Sequence, residues 1–447
     1  MRRHRRTFLK SVGVISSTLL AGCNANPDGA GKSPQQTTNE GTGEVEPTDT
    51  PRRTQSTTSP PDTETPTATP ASPLGDDPGP LPEETWPLPS RSITNGLYLP
   101  DGPTFDQEPT IDWQVQPSVA VEQDHFDPNF STPVIADGRL FVVKQLIYGT
   151  MQSPPERHLL LAYTARSGEK RWEQPIRHDS SYKPPAAPAL RGDEVLVGHD
   201  RSVRAYGFDD GTGLWRRSIG EPIYAIYPTP RQIYLRTHRS IRAVSAGGGD
   251  PWTTELDHFP GAMAIGLRNL FVGVSRRLLA LDPETGTTRW NRTLPATGGY
   301  GIDELVTVAG GVVVRQNSGD LYAFDDSGKP VWHLDGANRS ISTDGARLYT
   351  GAEGRLRALD VGTGSPVWEL ACASLEGCDS TRSFGTPVIT NGAVYAPIDS
   401  GHLVAVRPDD GSLQWSTKLT HRVEAITLDQ EALFSVGDER EPLIRRV

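Results

Sequence analysis

Short apolar runs such as LLAL (278–281) and LVAV (403–406) alternate with polar turn residues through most of the chain. Runs of this length, bounded by Gly, Pro, Asn and Asp, read as buried strands. STPVIADGRLFVV (131–143) and GTPVITNGAVYAP (385–397) each set two such runs around an Asp-Gly or Asn-Gly pair, the signature of a tight hairpin. ALDPETGTTRW (280–290) joins another strand, through a glycine-containing turn, to a strand carrying tryptophan. The tryptophans form a series: Trp113, Trp172, Trp215, Trp252, Trp290, Trp332, Trp368 and Trp415. Before each of the last seven, Gly stands four residues earlier (Gly168, Gly211, Gly248, Gly286, Gly328, Gly364, Gly411) and Ala nine or ten earlier. Such a unit of about 40 residues with four antiparallel strands is a propeller blade.

Seven units are complete between Ser131 and about Leu419. HRVEAITLDQEALFSVGDEREPLIRRV supplies three further strands, and TIDWQVQ, with Trp113, is a fourth strand with no blade before it. Joined, they predict an all-β, eight-bladed propeller closed by an N-terminal strand, which removes the free sheet edges. The alternative is seven blades with one terminus unpaired. The propeller takes residues 106–447, behind an arm over 84–105 that begins near Trp86 and includes Leu97, Tyr98 and Leu99.

Residues 23–83 are Thr, Ser, Pro, Gly and acids, too poor in apolar groups to offset their ordering entropy, and read as a disordered tether. Residues 1–22 read as a secretory signal: a basic start, the run SVGVISSTLLAG, too short to span a bilayer, and then Cys23. RRTFLK, with Arg5, Arg6, Phe8 and Leu9, resembles the twin-arginine export consensus, and LAGC resembles a lipobox in which Cys23 is lipidated. Together they imply export in the folded state and anchoring to the outer face of the cell membrane.

ALDPETGTTRW and ALDVGTGSPVW (358–368) resemble the Ala-x-Asp-x-x-Thr-Gly-x-x-x-Trp docking motif of pyrroloquinoline quinone (PQQ)-like propeller repeats. AFDDSGKPVW (323–332) is one residue shorter, and AVSAGGGDPW (243–252) has lost its Asp and Thr. The resemblance implies that the Trp and turn residues lock neighbouring blades together. The lipid signal and blades together resemble the propeller lipoproteins of the bacterial barrel-assembly machine, which implies a non-catalytic scaffold for another protein or a surface polymer.

The other function implied by the PQQ-like resemblance is a PQQ- and calcium-dependent dehydrogenase of alcohols or sugars. Such enzymes often carry adjacent bonded cysteines, and none are adjacent here. No HExxH, HxH, GxSxG or phosphate-loop pattern appears, so the sequence predicts no catalytic residue, metal or cofactor. With Cys23 lipidated, Cys372 and Cys378 are the partners left for a disulfide in an exported chain. Their connection, with KQLIYGTMQSPPERH (144–158) and IRHDSSYKPPAAP (176–188), puts three long loops on one rim. Tyr148, Met151, Arg177, Tyr182 and Phe384 are its candidate contacts. The net charge of −11, with arginine far outnumbering lysine, fits a halophile and excludes a nucleic-acid partner. The expected state is monomeric.

Overall fold

The computed structural model describes residues 95–447 except 106, 116–125, 149–156, 178–185, 200, 246–248, 297–300, 337, 353, 420–422 and 438–443. Eight antiparallel sheets follow one another around a ring. Blade 1 is built from Phe126–Phe130 and Val134–Ala136, both paired with Arg139–Tyr148, followed by Arg157–Thr164 and Lys170–Arg177. Its Asp-Gly turn has positive φ at both Asp137 and Gly138 (45° and 68°), as a two-residue hairpin of this twist requires. Blades 2 to 7 are four-stranded meanders whose outer strands begin at Gly213, Trp252, Thr288, Pro330, Pro366 and Leu413.

Blade 8 closes the ring. Val423–Leu428, Leu433–Gly437 and Ile444–Arg446 come from the C-terminus, and Trp113–Val115 pairs with the last of them. Trp113 lies opposite Arg446 and Val115 opposite Ile444. Arg446 also forms an ion pair with Asp112, so the seam has a charged clasp outside its ladder. The eight-bladed reading therefore holds, with its strand assignment.

Between blades the packing is apolar. Phe271, Leu278 and Ala280 of blade 4 meet Ile302, Leu305, Val312 and Val314 of blade 5, with Trp290 along the edge. The repeated turn supplies the second contact. A side chain at Gly211 would meet the Trp172 indole at 2.7 Å, and one at Gly411 the Trp368 indole at 2.5 Å. Gly168, Gly286, Gly328 and Gly364 stand in the same way against Trp113, Trp252, Trp290 and Trp332. Each turn glycine thus seats the tryptophan of the preceding blade, not its own. All six have φ between 69° and 80°, so the conformation and the contact both require glycine.

Each of those indoles also donates its N–H to a carbonyl in the same turn. The acceptors are Ala165, Phe208, Pro283, Asp326, Val361 and Pro408, at 2.7–3.2 Å. Two junctions depart from this rule. Trp215 donates to Glu194 of its own blade at 2.8 Å. Arginines bridge that junction instead: Arg191 reaches the carbonyls of Thr229 and Pro230, and Arg217 reaches Ser245 and Asp250. Trp415 faces blade 8, whose last two strands come from opposite ends of the chain and share no turn. Its N–H goes to the carbonyl of Phe105 in the N-terminal arm, at 2.9 Å.

The turn aspartates are occupied locally. Asp282 takes a hydrogen bond from Arg289 and the backbone N–H groups of Glu284 and Thr285, which hold its carboxyl below the usual value. Asp210 is lowered by the N–H and hydroxyl of Thr212, and Asp410 by the hydroxyl and N–H of Ser412.

Two outcomes follow for stability. Trp368→Ala should lower the unfolding free energy by about 3–5 kcal/mol, and Trp368→Phe, which keeps a ring but loses the N–H, by about 1 kcal/mol; equilibrium denaturation reads both. Because the folded carboxyl of Asp282 ionises below its unfolded value of 3.8, its stabilisation is complete above that pH and is lost as pH falls through and beneath it. Asp282→Ala should therefore show a smaller acid-induced drop in melting temperature than the wild type.

Candidate functional site

Connections between first and second strands leave one face of the ring. Those between second and third strands, and those between blades, leave the other. The N-terminal arm lies on the first face. Asn95 reaches into the central channel and donates its amide to the carbonyls of Met263 and Leu305, both at 2.9 Å. Gly96 then accepts from the N–H of Thr343, and the backbones of Leu97 and Leu99 ladder onto Ile389. The arm continues outward across blade 7, where the Tyr395 hydroxyl donates to Pro103 at 2.7 Å, and reaches Phe105 and the Trp415 clamp.

The channel, about 480 Å³, is walled by the innermost strands. Its charged lining residues, Arg236, Asp303 and Glu304, sit on blades 3 and 5. Arg236 donates to the carbonyls of Pro260 and Gly261 at 2.7 and 3.0 Å, and burial lowers its pKa. Arg315 bridges Asp303 and Glu304, each at 3.3 Å, and Glu304 also accepts the N–H of Ile341 at 2.8 Å. Glu304 is 33% and Asp303 41% exposed at the side chain, because both line the channel. Protein surrounds them on the remaining sides, so burial raises both carboxyls in spite of the arginine. The wall residues offer hydrogen bonds and charge to a small polar solute. Among the described residues, the lining holds no serine, cysteine or histidine to pair as nucleophile and base.

At the channel mouth opposite the arm, an aromatic cluster joins blades 3 and 4. Tyr224 and Phe259 meet edge to face at 4.5 Å, and the His238 ring lies 6.2 and 6.0 Å from them. The Arg236 guanidinium lies over both rings, at 5.9 Å from Tyr224 and 5.7 Å from Phe259. Phe259 is 41% exposed, an unusual state for so large an apolar ring. The sequence reading missed this group. Its members lie at the start of an inner strand, in a second-to-third-strand turn and in a blade connection, and only the ring brings them together.

The predicted rim is on this same face, but its contacts change. Tyr148 ends the strand Arg139–Tyr148 and Arg177 ends Lys170–Arg177, so the two insertions are shorter than expected. Met151 and Tyr182 lie outside the described residues, as do Arg5, Arg6, Phe8, Leu9 and Cys23 of the export signal. Phe384 is not a surface contact. It is fully buried with Tyr349, Leu356 and Leu375, filling the gap between blades 6 and 7 with apolar volume. Cys372 and Cys378 are bonded, closing a short loop around the turn Cys372–Ser374 and against His402. Among the described residues one group brings three metal-donor side chains together: Asp320, His333 and Asp335 of blade 5.

With this geometry the chain resembles proteins of known name. It is 21% identical over 243 residues to outer membrane protein assembly factor BamB of Yersinia pestis, covering 46% of this chain and 61% of that protein. The aligned part thus spans less than two thirds of that relative's length. The crystal structure of BamB from Moraxella catarrhalis superposes with a TM-score of 0.54 at 14% identity, over 75% of this chain and 96% of that one. Quinohemoprotein alcohol dehydrogenase from Comamonas testosteroni superposes with a TM-score of 0.57 at 13% identity, over 81% and 80%. At such identities the superpositions establish the fold alone. The family described as outer membrane protein assembly factor BamB matches residues 111–229 and 237–445, taking in nearly the whole ring. By that match the chain belongs to this family of PQQ-like propellers.

Proposed function

We propose that the protein is a non-catalytic scaffold, held by lipid on Cys23 at the outer face of a membrane after twin-arginine export, that binds another protein through its arm-free face. The Tyr224–Phe259 pair, with Phe259 exposed, carries this reading, because an amphipathic aromatic cluster beside an arginine is the composition of a protein-binding hot spot. The names of the BamB relatives, as assembly factors, support it. The partner this surface fits is an apolar or aromatic segment of another exported protein.

The second reading, a PQQ-dependent dehydrogenase, draws on the fold shared with quinohemoprotein alcohol dehydrogenases and on the charged channel wall. The residues do not fit a quinone with calcium. Both wall carboxylates are engaged by Arg315, and Asn95 and Leu97 of the arm already line the channel. A calcium ion needs about six or more oxygen ligands, far beyond what these two carboxylates retain.

A thiol-reactive photo-cross-linker on Phe259→Cys, applied to intact cells, should trap one exported protein. The same reagent on Leu267→Cys, an exposed site on the arm face, should not. Tyr224→Ala in the first background should abolish the adduct with no change in melting temperature. Equal trapping at both positions would remove the assignment of the face, and stoichiometric PQQ binding with dye-linked alcohol turnover would overturn the scaffold itself.

A further inference from the structure

Blade 5 carries a cluster of polar side chains away from the channel. The strand Leu321–Asp325 pairs antiparallel with Pro330–Leu334, with Tyr322 opposite His333 and Leu321 opposite Leu334. Side chains alternate along a strand, so residues two apart share a face. Asp320 therefore joins Tyr322, and Asp335 joins His333, on one side of the hairpin. The register alone places four side chains in a two-by-two patch.

Each member is held differently. The His333 ring lies flat on Tyr322, with centroids 4.3 Å apart and planes 15° from parallel. That stacking fixes the imidazole and leaves its Nε2 edge 3.1 Å from an Asp335 carboxylate oxygen. Asp320 is only 7% exposed, and its two oxygens are oriented by the Ser318 hydroxyl at 3.0 Å and the Gly336 N–H at 3.2 Å. Asp335, at 82% side-chain exposure, is free to swing. One donor atom from each of Asp320, His333 and Asp335 lies within 4.8 Å of the other two.

We propose that Asp320, His333 and Asp335 form a binding site for one divalent late first-row metal ion of the zinc class, open to solvent on the arm-free face. Two carboxylates and one imidazole converging from one hairpin supply the charge and donor types that a dication takes. Ligand atoms on a zinc-class ion sit about 2.0–2.2 Å from the metal, so the three donors must draw in by roughly 1 Å. The exposed Asp335 and the partly exposed His333 can supply that movement toward the buried Asp320. The imidazole favours zinc, nickel or cobalt over calcium and magnesium, which take oxygen ligands. Three protein ligands leave a tetrahedral position for water or for a donor from a bound partner. Ligation through Nε2 takes the neutral ring with its proton on Nδ1, so an imidazolium gives up one proton to solvent and an Nε2–H tautomer only moves its proton to Nδ1.

The test uses the full chain without a histidine tag. Titration with ZnCl₂ by calorimetry should show one ion per chain, and Co²⁺ should give the visible absorption of a low-coordinate nitrogen–oxygen site. His333→Ala should weaken binding by about a hundredfold or more and Asp320→Asn by at least about tenfold. Glu284→Gln, at an exposed carboxylate on blade 4 outside the cluster, should leave the affinity unchanged. Melting curves in EDTA establish that each variant is folded, His333 being partly exposed at the surface. Absence of saturable binding in the wild type would overturn the proposal, as would Zn²⁺ binding by folded His333→Ala at wild-type affinity.

Discussion

The ring depends on an indole finding two things at once in the next blade: a carbonyl for its N–H and a glycine flat enough to lie against. Either alone would be weak. A buried indole N–H left without an acceptor costs desolvation, and a side chain on the turn would push the ring away from its seat. Because both partners lie in one short turn, they arrive together when the hairpin forms. Six junctions meet the two demands in the same way. The other two show what happens when a part is missing. Where the turn has degenerated, arginine reaches across to backbone oxygens. Where no turn can exist, the arm lends a carbonyl.

That last substitution links the N-terminal arm to ring closure. Phe105 satisfies Trp415, and a few residues later Trp113 supplies the last strand of blade 8 and seats itself on Gly168 of blade 1. One short segment thus completes two junctions on either side of the seam. The same segment fills part of the channel through Asn95 and Leu97. Closure and channel occupancy are therefore coupled, and the arm-free face is left as the surface where unspent side chains accumulate.

The fold was legible because its rule is local. Strand, turn glycine and tryptophan sit within about a dozen residues, and the leftover Trp113 and C-terminal strands could be matched simply by counting. The site was less legible because its members are distant in sequence and near only in the ring. Tyr224, His238 and Phe259 belong to different elements of two blades, and Asp320 meets His333 through strand register rather than through a contiguous motif. Phe384 misled for a related reason. An aromatic residue in a long connection reads as exposed, yet here the connection folds inward and the ring fills the core.

The arm has a mechanical consequence as well. Tension arriving from the N-terminal side of residue 95 would meet the amide bonds of Asn95 to Met263 and Leu305 first. It would next meet the Leu97–Ile389–Leu99 ladder and then the bonds of Pro103 to Tyr395 and Phe105 to Trp415, and only after these were stripped would it load Trp113–Val115. The weakest point of any closed ring, the strand pair joining its two chain ends, is thus placed last in series behind a sacrificial length of backbone. A pull on the backbone ahead of Asn95 would peel the strap and leave the seam unloaded.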